Sequence, residues 1–218
     1  IISDADSYIL AGYTESYGAG QADMYLLNVG SDGELIWEAT YGDTSWEECR
    51  SVIQNTNGHY VLAGMTDSDI YLVRTNGQSF IVDWTIDIGS LPDCCNSICE
   101  TGYGLILGGY SGLPCYRAPD MFIMKIEGIL GDIEWVEIFD SWTGGEQDGG
   151  DVGTNVLHTA DGGYLLAGSS DGAWYGYSSW IIKTDSSGWE EWEYSSNIRQ
   201  ECNSILQTED GSYVYGGY

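Results

Sequence analysis

Aromatic side chains lie close to acidic ones in and around four long segments of this sequence, a combination that suits carbohydrate binding. The segments are 14–22, 111–119, 140–154 and 170–178. A pyranose ring has an apolar face on which an aromatic ring stacks, and its hydroxyls donate hydrogen bonds to carboxylates. The same aromatic residues are also typical of protein interfaces. We therefore expect a ligand-binding surface with these candidate residues: Trp46, Tyr116, Arg117, Trp142, Trp174, Tyr175 and Tyr177.

One of these segments concentrates carboxylates among glycines. Its acidic residues are Asp140, Glu146, Asp148 and Asp151. Carboxylate oxygens on a flexible loop are the ligands that calcium prefers. Their spacing matches no recognised calcium loop, and a solvated acidic loop has the same composition. Calcium is the one cofactor that the sequence suggests, with these four residues as its candidate ligands.

Enzymatic chemistry finds less support in the sequence. The two histidines, His59 and His158, fall beside short turns rather than in the long segments, where a histidine-based triad or metal centre would need them. Carboxylates are numerous enough to supply a glycosidase pair, the candidates being Glu47, Glu48, Glu146 and Asp151. We expect a non-enzymatic protein, with a carbohydrate-binding lectin or glycoside-active enzyme as the alternative.

The elements that position these residues come from an internal repeat. A phrase of about 50 residues occurs four times and then begins again, and each copy opens with an apolar run that ends in glycine. Short strand-like runs at such a period, with no helical pattern between them, are typical of β-propeller blades. The five runs are Tyr8-Ile9-Leu10-Ala11-Gly12, Tyr60-Val61-Leu62-Ala63-Gly64, Leu105-Ile106-Leu107-Gly108-Gly109, Tyr164-Leu165-Leu166-Ala167-Gly168 and Tyr213-Val214-Tyr215-Gly216-Gly217.

Two more strands follow in each copy. An apolar run that begins at Asp23, Asp69, Asp120 or Ser178 predicts a third strand, and a tryptophan marks the fourth. Because that tryptophan recurs in every copy, we expect it to be buried between neighbouring blades. The four tryptophans are Trp37, Trp84, Trp135 and Trp192.

The pattern predicts an all-β fold, a β-propeller built from four-stranded antiparallel blades, with four repeats plus a partial fifth. We expect one domain over 1–218, with blades at about 1–45, 46–92, 93–150 and 151–200 and a partial blade at 201–218. Short glycine-containing turns then lie at one end of every blade and the long segments at the other. Long loops on a rigid β scaffold are where binding residues usually lie.

The repeat resembles a known group of proteins. Its apolar run with Ala-Gly, its Asp-x-Tyr-Leu-x-Lys pattern and its Asp-x-x-Gly-x-x-x-Trp pattern are similar to the blade repeats of secreted bacterial and archaeal β-propeller proteins, including quinoprotein-like and Asp-box-like tryptophan repeats. Asn28 and Arg74 replace the lysine found at Lys125 and Lys183. The resemblance implies the fold and not the function, since such repeats occur in adhesins, structural proteins, lectins and enzymes.

The net charge of the chain excludes some classes of partner. The chain has 6 Lys plus Arg and 34 Asp plus Glu, a net charge of −28. This charge repels phosphate backbones and anionic lipid, and no apolar run reaches the roughly 20 residues that span a bilayer. We expect no nucleic acid partner and no membrane insertion. Other proteins, copies of the chain itself or a polysaccharide remain as partners of an extracellular or cell-surface module.

Six cysteines also favour an extracellular location, because disulfides persist in oxidising compartments. We expect at least one disulfide within the group Cys94, Cys95, Cys99 and Cys115. Our first choice joins Cys115 to Cys94 or Cys95, since the strand order brings their loops to the same end of a blade. Six cysteines allow 15 complete pairings, and connectivity stays open. Zinc-site spacing is absent.

The first and last segments repeat one another. The runs that begin at Ser7 and Ser212 occupy the same position in the repeat, so two copies of strand two compete for one place in a closed ring of four blades. An uncovered apolar strand tends to pair with another chain. We therefore expect either a longer propeller or pairing with a neighbouring copy.

Overall fold

A computed structural model of the chain describes residues 1–4, 6–67, 69–76, 80–86, 93–102, 104–112, 119–127, 132–141, 150–171 and 177–218, and for residues 3–4 and 80–85 it describes the backbone only. The chain forms two compact units, Ile1–Asp87 and Ile88–Tyr218. No helix among the described residues has the length and apolarity needed to cross a membrane.

The first unit contains two four-stranded antiparallel sheets, each with its strands in chain order. Alternate residues of the central strands face the neighbouring sheet, as the period of two in a pleated strand requires. The strands of the first sheet are β1 (Ile2–Asp4), β2 (Ser7–Thr14), β3 (Asp23–Gly30) and β4 (Leu35–Tyr41); those of the second are β5 (Glu48–Gln54), β6 (Tyr60–Met65), β7 (Ile70–Thr75) and β8 (Phe80–Ile86).

The second unit contains two further sheets of the same kind and a two-stranded one. Its strands are β9 (Asp93–Thr101), β10 (Gly104–Ser111), β11 (Asp120–Glu127) and β12 (Asp132–Phe139) in the third sheet, β13 (Asp151–His158), β14 (Tyr164–Ser170), β15 (Ser178–Thr184) and β16 (Glu190–Ser195) in the fourth, and β17 (Cys202–Gln207) and β18 (Tyr213–Gly217) in the last. These sheets confirm the predicted all-β fold of four four-stranded repeats and a partial fifth.

Apolar faces of consecutive sheets pack on one another within each unit. In the first unit Ile9 and Leu26 belong to one buried cluster with Leu62 of the second sheet. In the second unit Ile106 of the third sheet shares a cluster with Leu166 of the fourth. All five side chains are fully buried, so sheet-on-sheet contact supplies the apolar burial that stabilises each unit.

A tryptophan of strand four and a tyrosine of strand two form the contact that recurs between these sheets. In each pair the two rings are tilted against one another. The pairs and their centroid distances are Trp37 with Tyr60 at 6.0 Å, Trp135 with Tyr164 at 5.7 Å and Trp192 with Tyr213 at 5.9 Å.

The predicted burial of these tryptophans is correct only in part for two of them. Trp37 and Trp135 are partly buried and pack on the cores of their units. Trp192 is 39% exposed, so the prediction is wrong there. Its neighbouring sheet has only two strands, β17 and β18, which cover less of the indole. The side chain of Trp84 lies outside the described residues.

In four of the five repeats, the glycine that ends the apolar run of strand two is required by a close backbone approach, whereas a Cβ on Gly12 of the first repeat would meet nothing within 4 Å. A Cβ at Gly64, Gly109, Gly168 or Gly217 would lie 1.6–2.0 Å from a carbonyl oxygen in or just before strand one, which no side chain tolerates. The approach coincides with a β-bulge in strand one, as between Cys49 and Ser51. The repeated glycine is therefore a structural residue.

An ion-pair cluster holds together the short-turn end of the fourth sheet, where strands one and two and strands three and four are joined. Lys183 is 2% exposed, and its Nζ lies 3.1 Å from Asp161 Oδ2 and 3.0 Å from Glu191 Oε2. It also donates to the Thr184 carbonyl at 2.8 Å. The lysine thus fastens the turn of the first hairpin to strand four.

Some repeat positions that are buried in inner sheets are exposed elsewhere. Tyr8 is 45% exposed, whereas its equivalents Tyr60 and Tyr164 are 6% and 3% exposed. Val214 is 52% exposed and its equivalent Leu165 is fully buried. The expectation that further repeats or a neighbouring copy cover these positions stays a prediction.

Candidate functional site

The long-loop end of the first unit is built around the carboxylate that opens β3. Asp23 is 2% exposed, and the loop before it folds back so that two backbone amides reach its side chain. Ala19 N donates to Oδ1 at 3.1 Å and Gly20 N to Oδ2 at 3.2 Å. The aspartate that marks the third strand in the repeat therefore organises its own loop.

A second carboxyl group, Glu47, meets Asp23 from the start of the second sheet. It is also 2% exposed. A Cβ placed on Gly42 would lie 2.4 Å from Glu47 Oε2 and 2.7 Å from Asp23 Oδ1, so these two oxygens are within about 5 Å of one another. Asp43 N donates to Glu47 Oε2 at 3.3 Å. We call Asp23, Asp43 and Glu47 the carboxyl cluster.

The cluster shifts two pKa values in opposite directions. Burial raises the pKa of Glu47 to about 7, and the nearby charges of Asp43 and Asp23 add to this, against the lowering effect of the Asp43 amide. Hydrogen bonds from the amide and side chain of Ser45 lower the pKa of Asp43. Glu47 therefore changes its charge near neutral pH.

Backbone contacts close the loop 15–22 over the turn 42–47. Gln21 N donates to the Ser45 carbonyl at 3.3 Å, and Glu47 N donates to the Ala22 carbonyl at 2.8 Å. Ala22 and Trp46 form a parallel β-bridge. Loop and turn thus form one connected structure, with Asp23 and Glu47 buried between them and Asp43 exposed at its surface.

Aromatic side chains surround this structure. Tyr13 and Trp46 have ring centroids 5.8 Å apart, and Tyr17 stacks on Tyr25 at 6.5 Å. We call these four residues the aromatic rim. Tyr17 is 65% exposed and Tyr13 45% exposed. The hydroxyl of Tyr25 donates to Glu38, which together with burial raises the pKa of the tyrosine to about 12, so the phenol stays neutral.

Two of the seven candidate ligand residues lie in the described part of the chain. Trp46 belongs to the aromatic rim, and Tyr177 is 39% exposed in the second unit, where its carbonyl accepts a hydrogen bond from Gln200 N. The other five lie outside the described residues, namely Tyr116, Arg117, Trp142, Trp174 and Tyr175.

A second group of carboxylates lies in the second unit. Asp120, Asp140 and Asp151 each place an oxygen within 4.8 Å of the others. Ser141 donates to Asp151 through its amide at 2.8 Å and its hydroxyl at 2.7 Å. Burial raises the pKa of Asp151 despite these hydrogen bonds. The site has the oxygen ligands that calcium uses.

This arrangement meets only part of the sequence prediction. Asp140 and Asp151 lie together, whereas Glu146 and Asp148 lie outside the described residues. Sequence reasoning missed Asp120, although the repeat contained the signal. Asp120 opens its third strand as Asp23 does, and Asp151 opens the next sheet as Glu47 does. Calcium binding stays a prediction.

The structure shows no disulfide among the five described cysteines. Cys94, Cys95 and Cys99 are therefore not joined to one another, and Cys115 lies outside the described residues. A disulfide within the predicted group would have to include Cys115. The pairing of Cys115 with Cys94 or Cys95 stays a prediction.

Comparison with known proteins places the fold and not the site. Neither a protein-family model nor a curated protein matches the sequence. Among solved structures, a protein of unknown function from Bacteroides caccae is similar over 96% of this chain and 64% of its own, with 13% identity and a TM-score of 0.58. The quinohemoprotein alcohol dehydrogenase from Comamonas testosteroni is similar over 97% of this chain and 41% of its own, with 11% identity and a TM-score of 0.50.

The chain thus spans less than two thirds of the length of either structure. Likeness at such low identity concerns the fold alone. The second of these structures has the β-propeller fold, and the four-stranded antiparallel sheets of this chain are of the same kind.

Proposed function

We propose that the chain is a non-enzymatic recognition or assembly module of a secreted or cell-surface β-propeller protein. The observation that carries the proposal is the aromatic rim at the long-loop end of the first unit. Tyrosine and tryptophan supply large contact areas at a low cost in conformational entropy, which is why they dominate recognition surfaces.

The rim is held in place before any partner binds. Tyr17 lies in the loop whose amides bind Asp23, and Trp46 lies in the turn that this loop covers. Tyr25 is anchored by its hydrogen bond to Glu38. Preorganised contact residues improve affinity because less freedom is lost on binding.

Exposure favours other proteins or further copies of the chain as partners, and charge favours neutral or cationic proteins among them. A net charge of −28 steers the module toward neutral or cationic surfaces. The exposed repeat positions Tyr8 and Val214 support an assembly role as well. Their buried equivalents pack sheet on sheet, so another sheet of the same repeat fits them.

Carbohydrate binding is the second candidate, and one contact favours it. The indole of Trp46 lies beside the exposed ring of Tyr13. The backbone amide of Trp46 donates to Asp67 Oδ1 at 3.1 Å. An aromatic platform with a carboxylate at its edge suits a sugar ring. For glycoside hydrolysis, however, Glu47 and Asp151 are enclosed, at 2% and 0% exposed, so the loops would have to open before either reached a substrate.

Two measurements test the proposal. Sedimentation velocity of the purified chain should show concentration-dependent self-association that is weakened by a Tyr13→Ser, Tyr17→Ser double variant. Tyr194→Ser is the matched control, since Tyr194 is 46% exposed and lies on the outer strand of the fourth sheet.

Titration with oligosaccharides separates the two candidates. A saturable change in tryptophan fluorescence that is absent in Trp46→Phe would favour the carbohydrate candidate. A chain that stays monomeric and also gives no saturable response to oligosaccharides would contradict the proposal that the rim is a recognition surface.

A further inference from the structure

The carboxyl cluster buries two acidic groups that take part in none of the ion pairs seen among the described residues. Asp23 and Glu47 are each 2% exposed. Within the described part of the first unit, the ion pair with an acidic side chain joins Arg50 to Glu48, with Nε and Oε1 3.3 Å apart, and does not include either buried group. An unpaired carboxylate is costly to bury, and this cost raises the pKa of Glu47.

The groups that face Glu47 are acidic on both sides. Asp23 faces it from β3, and Asp43 faces it from the turn 42–47, where the Asp43 amide donates to Glu47 Oε2 at 3.3 Å. Beyond them, Asp67 accepts the amide of Trp46, and Glu48 is occupied by Arg50. Loss of the proton from Glu47 therefore adds a negative charge to a site that already holds two carboxylates.

We propose that Asp23, Asp43 and Glu47 form a pH-sensitive latch that holds the loop 15–22 against the turn 42–47. In the closed state Glu47 carries a proton and donates it in a hydrogen bond to Asp43. When Glu47 releases this proton to solvent, repulsion from Asp23 and Asp43 drives the loop and the turn apart.

The contacts that open are those that cross between the two segments. They are the hydrogen bond from Gln21 N to the Ser45 carbonyl and the hydrogen bond from Glu47 N to the Ala22 carbonyl. Opening also frees the bridge between Ala22 and Trp46. Because Tyr17 and Trp46 lie on the two segments, opening changes the aromatic rim.

The direction of the pH response follows from burial. An acid whose pKa is higher in the closed state than in the open one favours closure when protonated. The pKa of Glu47 rises from 4.5 to about 7 in the closed state. Closure is therefore fully favoured below pH 4.5 and is lost as the pH rises through about 7.

The latch would regulate the recognition surface of the proposed function, and only this consequence rests on that function. The latch itself is tested on the chain without any ligand. If the rim binds neither copies nor sugars, the latch proposal still stands. If the latch proposal fails, the rim can still bind, but its binding would not depend on Glu47.

Carboxyl ¹³C chemical shifts and amide hydrogen exchange across pH 4 to 8.5 test the proposal directly. We expect Glu47 to titrate near neutral pH and the protection factors of Gln21 and Glu47 to fall about tenfold or more as it does, since one pKa unit of coupling corresponds to a factor of ten. Glu47→Gln keeps the shape of the glutamate side chain but cannot ionise. In this variant the protection factors should stay constant over this range.

Two further variants keep the test decisive. Asp23→Asn removes one acidic neighbour that raises the pKa of Glu47 and should move the midpoint to lower pH without abolishing the transition. Glu48→Gln is the matched control and should leave both midpoint and amplitude unchanged. Wild-type protection that is constant from pH 5 to 8.5, or a transition that persists in Glu47→Gln, would overturn the latch; if Glu47→Gln fails to fold, an unshifted midpoint in Asp23→Asn would do the same.

Discussion

The short-turn end of the fourth sheet and the long-loop end of the first sheet solve the same electrostatic problem in different ways. At the short-turn end, the buried ammonium of Lys183 lies between the carboxylates of Asp161 and Glu191. At the long-loop end, Asp23 and Glu47 are buried together with hydrogen bonds from backbone amides and no paired cation among the described contacts. One end is balanced by a lysine, and the other by a proton.

Because of this difference, the short-turn end keeps one charge state, whereas the long-loop end responds to pH. An ion pair with a lysine keeps its charge state across the physiological pH range, so the short-turn end is fixed. A carboxyl group with a pKa of about 7 changes its charge within that range. The long-loop end therefore carries both the exposed aromatic rim and the group able to rearrange it.

The largest expected effect concerns the aromatic contact near the short-turn ends. Trp135 contacts Tyr164, and its ring lies 2.8 Å from where a Cβ on Gly188 would stand. Trp135→Ala should lower the free energy of unfolding by about 3 to 5 kcal/mol. Urea denaturation followed by circular dichroism measures this loss.

The matched control is the equivalent tryptophan of the fourth sheet, which is exposed. Trp192 is 39% exposed, so Trp192→Ala should cost only about 1 to 2 kcal/mol. Equal losses for the two variants would mean that the short-turn contact does not depend on burial, and the comparison between the two ends would lose its basis.

Much of the scaffold was predictable because the residues that the fold requires recur at the same position in several copies of the repeat. The terminal glycine, the third-strand aspartate and the strand-four tryptophan all recur, and the structure gives the glycine and the tryptophan a recurring contact. The burial of Trp192 was not predictable from its own position, because it depends on how many strands lie in the neighbouring sheet.

The candidate site was predictable only in part. Trp46 was identified by its residue type, whereas the meeting of Asp23 with Glu47 depends on how the loop folds over the turn. Burial, which shifts the pKa of Glu47, leaves no mark on the local sequence. Comparison of the first repeat with the third would have suggested both carboxyl groups, because each pairs a third-strand aspartate with an acid at the start of the next sheet.

The second prediction removes the cation from the short-turn end. Burial lowers the pKa of Lys183, but the hydrogen bonds to Glu191 and Asp161 raise it by more. The net shift is therefore upward, and the lysine stays charged. Lys183→Met should cost about 2 kcal/mol, which is less than a fully buried pair because both carboxylates can rehydrate.

The equivalent lysine of the third sheet provides the control. Lys125 is 15% exposed and pairs with one carboxylate among the described residues, that of Glu134, at 2.7 Å. Lys125→Met should cost about 1 kcal/mol in the same denaturation experiment. If it costs as much as Lys183→Met, the second carboxylate contributes nothing to the short-turn end.

The third prediction compares the two ends by pH. Because the pKa of Glu47 is raised to about 7, its contribution to stability is present below pH 4.5 and is lost as the pH rises through 7. After allowance for solvent screening, wild type should lose about 1 kcal/mol between pH 5 and 8 from this group. The difference between wild type and Glu47→Gln, measured by urea denaturation at both pH values, isolates the effect; a difference independent of pH would contradict it.

The smallest effect is expected from Asp161, and it has the opposite pH dependence. Hydrogen bonds from Thr159 and the Gly163 amide, together with Lys183, lower the pKa of Asp161 to about 2. A lowered pKa means that the contribution is present above pH 3.8 and is lost as the pH falls through 2. Since its side chain is 59% exposed, Asp161→Asn should cost only about 0.5 kcal/mol at pH 7. The cost should vanish below pH 2, where wild type and variant become equally stable. A cost that instead grows as the pH is raised from 5 to 8 would place the pH sensitivity at the short-turn end and reverse the assignment of the fixed and adjustable regions.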